Sequence, residues 1–395
     1  MRTTTYCYPW DLARLGVHDT LAEIAGHGIA AVDLAATYHP IDSFSPRGGL
    51  DLFSEGRGAV YFPARVEGYG RIRPNVYPGA VSKAWPEAAN AAAKLGLGLN
   101  SWTITLFQPW IRDAYPDCAR VMPWGSASGS GVCPANPDVV AYITHLCADI
   151  AEQFGVDLFR LEGVLPHSFD LDWLRPRSLV EISPFARTLS NLCFCDSCKT
   201  RGTATGIDVA ALQSRVVAAI AAEIAGEAGG DERSAAFASD ADLSAYIENQ
   251  VMASIDLVRA VTAKVGHTAR VASNAITPYR ALLGPERDDA LLTAFIEAST
   301  QIDLVVLNPM GNRLVAGLNA AVATPRPMSA LYVTVRNPTV TSSVQMAESG
   351  PDRMLANLQA AADVGVSQIA LYNYALMPDS DVTAFMTTIA QVKLP

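Results

Sequence analysis

At 395 residues the chain is long enough for two or three average domains or for one large barrel. Half of its residues are apolar and 17% are charged, with a net charge of −10, which suits a globular protein with a large core and argues against nucleic acid or an anionic membrane as partner. No basic patch, no signal peptide behind "MRTTTYCYPW" and no bilayer-length apolar run is read in the sequence, so a cytoplasmic setting with reduced thiols is expected.

In chain order, "TTTYCYPW" (3–10) reads as a first strand, followed by a helix over 18–27 that stops at Gly28. "IAAVDLAATYHP" (29–40) is the second strand. A loop over 38–81 comes next, and a connection of about forty residues is long enough to expect a functional role. The helix 82–96 leads into the third strand, "LGLNSWTITLF" (97–107), and the helix 138–153 feeds the fourth, "GVDLFRLEGV" (155–164). Residues 165–267 read as a mostly helical insertion, with "GGDERSAAFASD" (229–240) as a flexible interruption and a long helix over 241–265. Strands at 268–276, 302–311, 328–338 and 367–377 then alternate with helices at 286–299, 312–323, 351–364 and 380–393.

Apolar strands separated by helices imply a parallel sheet covered on both faces. Eight such units imply an α/β fold closed as a (β/α)8 TIM barrel, a single domain over 1–395 with an enlarged connection after strand 4. The rival is an open doubly wound sheet. It would carry a glycine-rich phosphate turn after its first strand, and neither "YCYPWDLARLG" nor "GYGRIRP" is one.

In a barrel, chemistry collects at the C-terminal ends of the strands. Those ends carry Tyr8, Trp10 and Asp11; Tyr38 and His39; Asn100 and Trp102; Glu162 and His167; Asn274; Asn308; Arg336; and Tyr372, Asn373 and Tyr374. Aromatic faces suit the C–H patches of a polyhydroxylated ligand, while amides, carboxylates and guanidinium groups suit its hydroxyls. Capping of the core is the competing reading for any one of these aromatics. Alternation along "VDLFRLEG" puts Leu158, Arg160 and Glu162 on one face, so Glu162 is the leading catalytic carboxylate, with an ion pair to Arg160 as the plainer reading. Asp33 is a second acid inside a strand, several residues below the mouth, where a buried salt bridge to Arg160 is expected ahead of a catalytic role. Asp170, Asp11, Asp172 and Glu348, all on loops, are the further candidates for a partner carboxylate, and nothing in the sequence ranks them well. His18, His27, His145 and His267 fall on helices or their ends as surface or packing residues. Neither a catalytic metal motif nor an organic cofactor site is apparent.

"NLCFCDSCKTRG" places Cys193, Cys195 and Cys198 as C-x-C-x-x-C, in a chain with seven cysteines. Two thiolates of a C-x-x-C turn converge on one ion and the C-x-C arm brings a third. A tetrahedral structural zinc then needs one more ligand, for which Cys133 is the natural choice and Cys118 the reserve. Unmetallated thiols and a redox centre are the alternatives. Cys7 and Cys147 read as core residues.

An upstream cysteine followed by C-x-C-x-x-C around strands 3 and 4 resembles the zinc cluster of family 42 β-galactosidases. The stretches "CPANPDVVAYITHLCADIAEQFGVDLFRLEGV", "LCFCDSC", "YHPIDSFSPRGG" and "GAVYFP" are similar to bacterial barrel proteins grouped with glycoside hydrolases. The resemblance covers the first half of the chain best. It implies a sugar-directed barrel in which Glu162 matches the strand-4 carboxylate. Leu161 stands where family 42 has an asparagine, and "LYVTVRNP" lacks that family's strand-7 glutamate, so the paired carboxylates are not carried over whole. The expected function is cleavage of a small glycoside by paired carboxylates, exo-acting because the 38–81 loop and the insertion would wall the pocket. A sugar isomerase or lyase and a non-catalytic carbohydrate-binding barrel are the alternatives. Alanine-rich outer helices would permit a homo-oligomer.

Overall fold

The computed structural model describes residues 2–165, 182–273, 279–306, 328–333, 355–356, 358–359, 362–363 and 368–393. Eight strands form the barrel: β1 (Arg2–Cys7), β2 (Ala31–Tyr38), β3 (Gly98–Ile104), β4 (Leu158–Glu162), β5 (Arg270–Ser273), β6 (Gln301–Val306), β7 (Met328–Val333) and β8 (Gln368–Leu371). Each pairs in parallel with its neighbours in chain order, and β1 pairs with both β2 and β8, so the sheet closes on itself. Closure removes every sheet edge and leaves an inner and an outer face to each strand.

Side-chain alternation sorts the residues between those faces. All eight residues of β2 are buried. Val32, Leu34 and Ala36 join Phe159, Leu161 and Ile369 in the apolar layer under the helices. Ala35, Tyr6, Trp102, Ile104 and Ala370 belong to a separate, aromatic cluster inside the barrel. The helices end where their residues dictate. Over Pro137–Phe154, the Asn136 side chain accepts from the backbone N–H groups of Asp138 and Val139, a proline opens the first turn, and Gly155 at φ 60° closes the last.

The first strand is shorter than 3–10, because Pro9 opens a helix over Pro9–Leu15. The 38–81 connection is also built, carrying an antiparallel hairpin (Ile41–Ser45 with Asp51–Glu55) and a short strand, Ala59–Val60, antiparallel to β2. Between β4 and β5 lie helices over Pro184–Ser190, Asp196–Ala204, Val209–Ile224, Gly230–Ala238 and Ala241–Val265. The expected flexible interruption at 229–240 is thus a helix. Its two glycines sit at the N-terminal edge, Arg233 pairs with Glu223 at 2.8 Å, and Phe237 packs on Phe185 with ring centroids 5.5 Å apart. Local glycine content suggested a break; tertiary contacts to the preceding helices override it.

Among the described residues, the barrel floor is marked by the Arg160–Asp33 ion pair. Arg160 Nε donates to Asp33 Oδ1 at 2.6 Å, and both side chains are sealed from solvent. Thr4 Oγ1 donates to Asp33 Oδ2 at 2.6 Å, and Asn100 Nδ2 donates to Oδ1 at 2.7 Å. Removing one partner of such a pair strands the other charge, which costs about 3–5 kcal/mol. Asp33→Asn is therefore expected to lower unfolding stability by that order in a denaturant titration. A loss within about 0.5 kcal/mol, as for an ordinary surface substitution, would show that the floor does not depend on the pair.

Candidate active site and cysteine cluster

Glu162 ends β4 and is half-buried, two residues above Arg160 on the same inner face. Trp102, on β3, donates from Nε1 to Glu162 Oε2 at 2.7 Å. The Glu162 carbonyl accepts from the backbone N–H of Thr105 at 2.8 Å and from its hydroxyl at 2.9 Å. Carboxylate and backbone are thus both held by β3 and the residues that follow it.

Around the Trp102 ring stand four tyrosines at 4.8–5.7 Å between centroids: Tyr6, Tyr38, Tyr8 and Tyr372. Three of their hydroxyls meet. Tyr8 lies 2.6 Å from Tyr372 and 3.0 Å from Tyr38, and the Tyr38–Tyr372 edge is 3.3 Å. Burial pushes the Tyr8 and Tyr38 phenols well above their usual range, and the Glu162 charge adds to the effect. Both remain protonated at any working pH.

The expected rim is more deeply packed than its sequence implies. Trp10 is sandwiched between Tyr8 and Phe53, with centroids at 4.2 and 4.3 Å, so both its faces are covered. Tyr8, Tyr38 and Trp102 are buried, whereas Tyr372 and His39 keep part of their surface. His39 Nδ1 donates to the Pro40 carbonyl at 2.7 Å, and burial lowers its pKa to about 4, so the ring is neutral near pH 7. Asn100 and Asp33 lie in the floor network, below Glu162. The Asn100 amide N–H serves the Arg160 pair, a structural place instead of the substrate-facing one expected, and Asp33 makes the salt bridge to Arg160 that its place inside the strand favoured over catalysis. Asn373 is also buried and caps the short helix Tyr374–Leu376 by accepting from the Ala375 N–H. Tyr374 lies under the Arg47 guanidinium at 4.1 Å. His167, Asp170, Asp172, Asn274, Asn308, Arg336 and Glu348 lie outside the described residues.

Two residues escaped the sequence reading. Tyr6 shares the inner face with Tyr8, a relation that the two-residue period of "YCY" already contains. Phe53 reaches Trp10 from the hairpin, and nothing local to "DLFSE" signals that. The hairpin is also tied to Asp11, which is buried and accepts from Ser45 Oγ at 2.5 Å. Burial raises the Asp11 pKa to about 6, against the opposing effects of Ser45 and Arg14.

The four sulfurs of Cys133, Cys193, Cys195 and Cys198 lie within 4.8 Å of one another, all buried. Cys133 is 3.4 Å from Cys198 and 3.9 Å from Cys193. Such spacing matches the edges of a tetrahedron around a thiolate-bound ion. The Val121 N–H points at Cys193 Sγ at 3.4 Å. Tyr246 and Gln250 hold the Cys193 carbonyl at 2.8 and 3.0 Å. The Cys193 thiol is drawn well below its usual range against the cost of burial, because the other three thiols hydrogen-bond to it and Arg120 lies nearby. Cys118 is not one of the four; burial first, then Asp117, pushes its thiol up to about 11. Cys7 and Cys147 are buried in the apolar layer.

No protein-family model and no curated protein matches the chain. Its fold is similar to that of α-L-fucosidase isoenzyme 2 from Paenibacillus thiaminolyticus (TM-score 0.56, 11% identity), covering 99% of this chain and 49% of that one. A β-galactosidase from the psychrophilic Marinomonas ef1 is similar at TM-score 0.56 and 9% identity, over 99% and 59%. The PgaB (BpsB) glycoside hydrolase domain from Bordetella bronchiseptica is similar at 0.55 and 13%, over 99% and 97%. The chain thus spans about half the length of the fucosidase and 59% of the β-galactosidase. The fold is a TIM barrel similar to those of these three proteins.

Asp11 gives this site a pH signature. Its folded pKa lies above the ordinary carboxylate value of 3.8. Its contribution to stability is therefore complete below that value and is lost as pH rises through about 6. Asp11→Asn should remove this loss and raise the melting temperature at pH 7–8 by the equivalent of about 1–3 kcal/mol, with little change near pH 4. Melting curves of both proteins across that range provide the check. Parallel pH profiles would mean that Asp11 stays charged in the fold.

Proposed function

We propose that the protein is a glycoside hydrolase acting on a small glycoside or oligosaccharide, with Glu162 as one of two carboxylates flanking the scissile bond. The observation that carries this reading is the placement of Glu162. It is a half-buried carboxylate at the C-terminal end of β4, held by the Trp102 N–H among hydroxyl-bearing rings, in a fold shared with glycoside hydrolases. Trp102 holds Glu162 Oε2, and Arg160 below it fixes the height of the strand. Such orientation is what a positioned carboxylate needs to move a proton or meet an anomeric carbon.

We assign Asp170, on the same connection, as the second carboxylate. His167, Asn274, Asn308 and Arg336, which follow the fourth to seventh strands in sequence, are assigned as ligand contacts beside Tyr372 and His39. The hairpin against Trp10 walls one side of the mouth, which favours exo action on short substrates. Glu162→Gln is expected to reduce turnover of accepted aryl glycosides roughly a hundred- to ten-thousand-fold with the fold unchanged. Wild-type turnover by this variant would remove Glu162 from the mechanism.

We also assign a structural zinc to Cys133, Cys193, Cys195 and Cys198. Four sulfur donors close the coordination sphere, so the ion would staple the segment around Cys133 to the helices after β4 and leave no open position for water. Metal analysis of the purified protein should find zinc at one equivalent per chain. A strong chelator or Cys195→Ser should lower the melting temperature. Metal-free protein with full thermal stability would count against a resident ion.

A further inference from the structure

The hydroxyls of Tyr8, Tyr38 and Tyr372 form a triangle, and its three edges are unequal. A phenol hydroxyl carries one proton and accepts through its lone pairs, so three of them can close a ring in either direction. The two edges at Tyr8 are 2.6 and 3.0 Å, and the Tyr38–Tyr372 edge, at 3.3 Å, is the weakest. Tyr8 is sealed off and Tyr38 nearly so, while Tyr372 at the end of β8 keeps part of its surface. Tyr372 thus belongs to both the shortest and the longest edge, and of these the longest is the one a further group can open most readily. Trp102 packs against all three rings and donates to Glu162, which puts the triangle beside the carboxylate.

We propose that one hydroxyl group of the ligand inserts into the Tyr38–Tyr372 edge and completes a ring of four hydroxyls next to Glu162, making Tyr372 a specificity-determining residue. This inference rests on the glycoside reading of Glu162 and deepens it by naming the ligand class. The inserted group must take a proton from one phenol and give one to the other. A hydroxyl does both; an ether oxygen, a fluorine or a carboxylate only accepts, and a methylene does neither. The preferred ligand is thus a pyranose with an unsubstituted hydroxyl at the position that meets the triangle. The chain of phenols also polarises the inserted group, since hydrogen bonds in sequence strengthen one another. Discrimination is nonetheless modest. When an analogue lacks the hydroxyl, the triangle closes on itself and leaves no phenol stranded, unlike a pocket whose polar groups lose their only partner.

The test measures the affinity of wild type, Tyr372→Phe, Tyr38→Phe and Glu162→Gln for free pyranoses and their monodeoxy and monodeoxyfluoro counterparts by calorimetry. For the best-bound pyranose, changing one particular hydroxyl to hydrogen or fluorine should weaken binding to wild type and to Glu162→Gln about tenfold. In Tyr372→Phe the same change should cost about twofold or less, and Tyr38→Phe, a second route to the same broken ring, should behave alike. An unaltered hydroxyl preference in both tyrosine variants overturns the proposal, as does a wild type that binds no pyranose. Glu162→Gln separates the two readings. Full turnover by that variant would remove the carboxylate mechanism while leaving the hydroxyl preference to stand or fall on the tyrosine variants.

Discussion

The Asp33–Arg160 ion pair inside the barrel is the constraint on which the site depends. A carboxylate and a guanidinium persist in a water-free interior only when each neutralises the other and their remaining hydrogen-bonding capacity is met. Here the pair spans from β2 to β4, with Asn100 of β3 between them and Thr4 of β1 completing the set. Four adjacent strands are thereby locked to one height. Glu162 stands two residues above Arg160 on the same face, so its position at the mouth follows from a contact it does not make. The neighbouring register, Trp102 beside Arg160 and Ile104 beside Glu162, brings the indole N–H to the carboxylate.

Above that floor, aromatic packing decides which side chains keep exposed surface. The mouth gathers tyrosines and tryptophans from β1, β2, β3 and β8, but most of their surface is spent on one another. Trp10 shows this most clearly, being covered by Tyr8 on one side and by Phe53 of the hairpin on the other. Among the described residues, Glu162, Tyr372 and His39 keep part of their surface, and the His39 ring is neutral near pH 7. That set suits recognition of hydroxyl groups better than stacking against a whole sugar face.

The cysteine cluster acts on a separate part of the molecule. Cys133 follows the hairpin Ala119–Val121 and Ala127–Val132, whereas the other three cysteines lie at the start of the helix Asp196–Ala204, the second described helix after β4. The backbone bond from the Phe194 N–H to the Val121 carbonyl at 2.8 Å and the side-chain clasp of Tyr246 and Gln250 join the same two regions. The four sulfurs converge because these surroundings are already tied together. The C-x-C-x-x-C spacing marked three members and Cys133 was the expected fourth, and the fold brings those four sulfurs together.

Barrel architecture was legible in the chain because a parallel strand buried on both faces leaves an apolar run, and the crossover helices leave their own periodicity. The run "AVDLAATY" and the helix over 241–265 are cases where local pattern and tertiary role agree. The candidacy of Glu162 was legible too, from alternation along β4 and its place at the strand end. Exposure was not. Whether Trp10 offers a face, whether Asn100 points up to a ligand or across to Asp33, and whether residues 230–238 hold a helix all depend on partners distant in sequence. Sequence alone determined which face of each strand a residue takes, since that follows from a two-residue period set by backbone geometry. Only the closed tertiary structure decided which of those residues meet, because contact across a barrel is a property of strand register and covering loops that no single segment encodes.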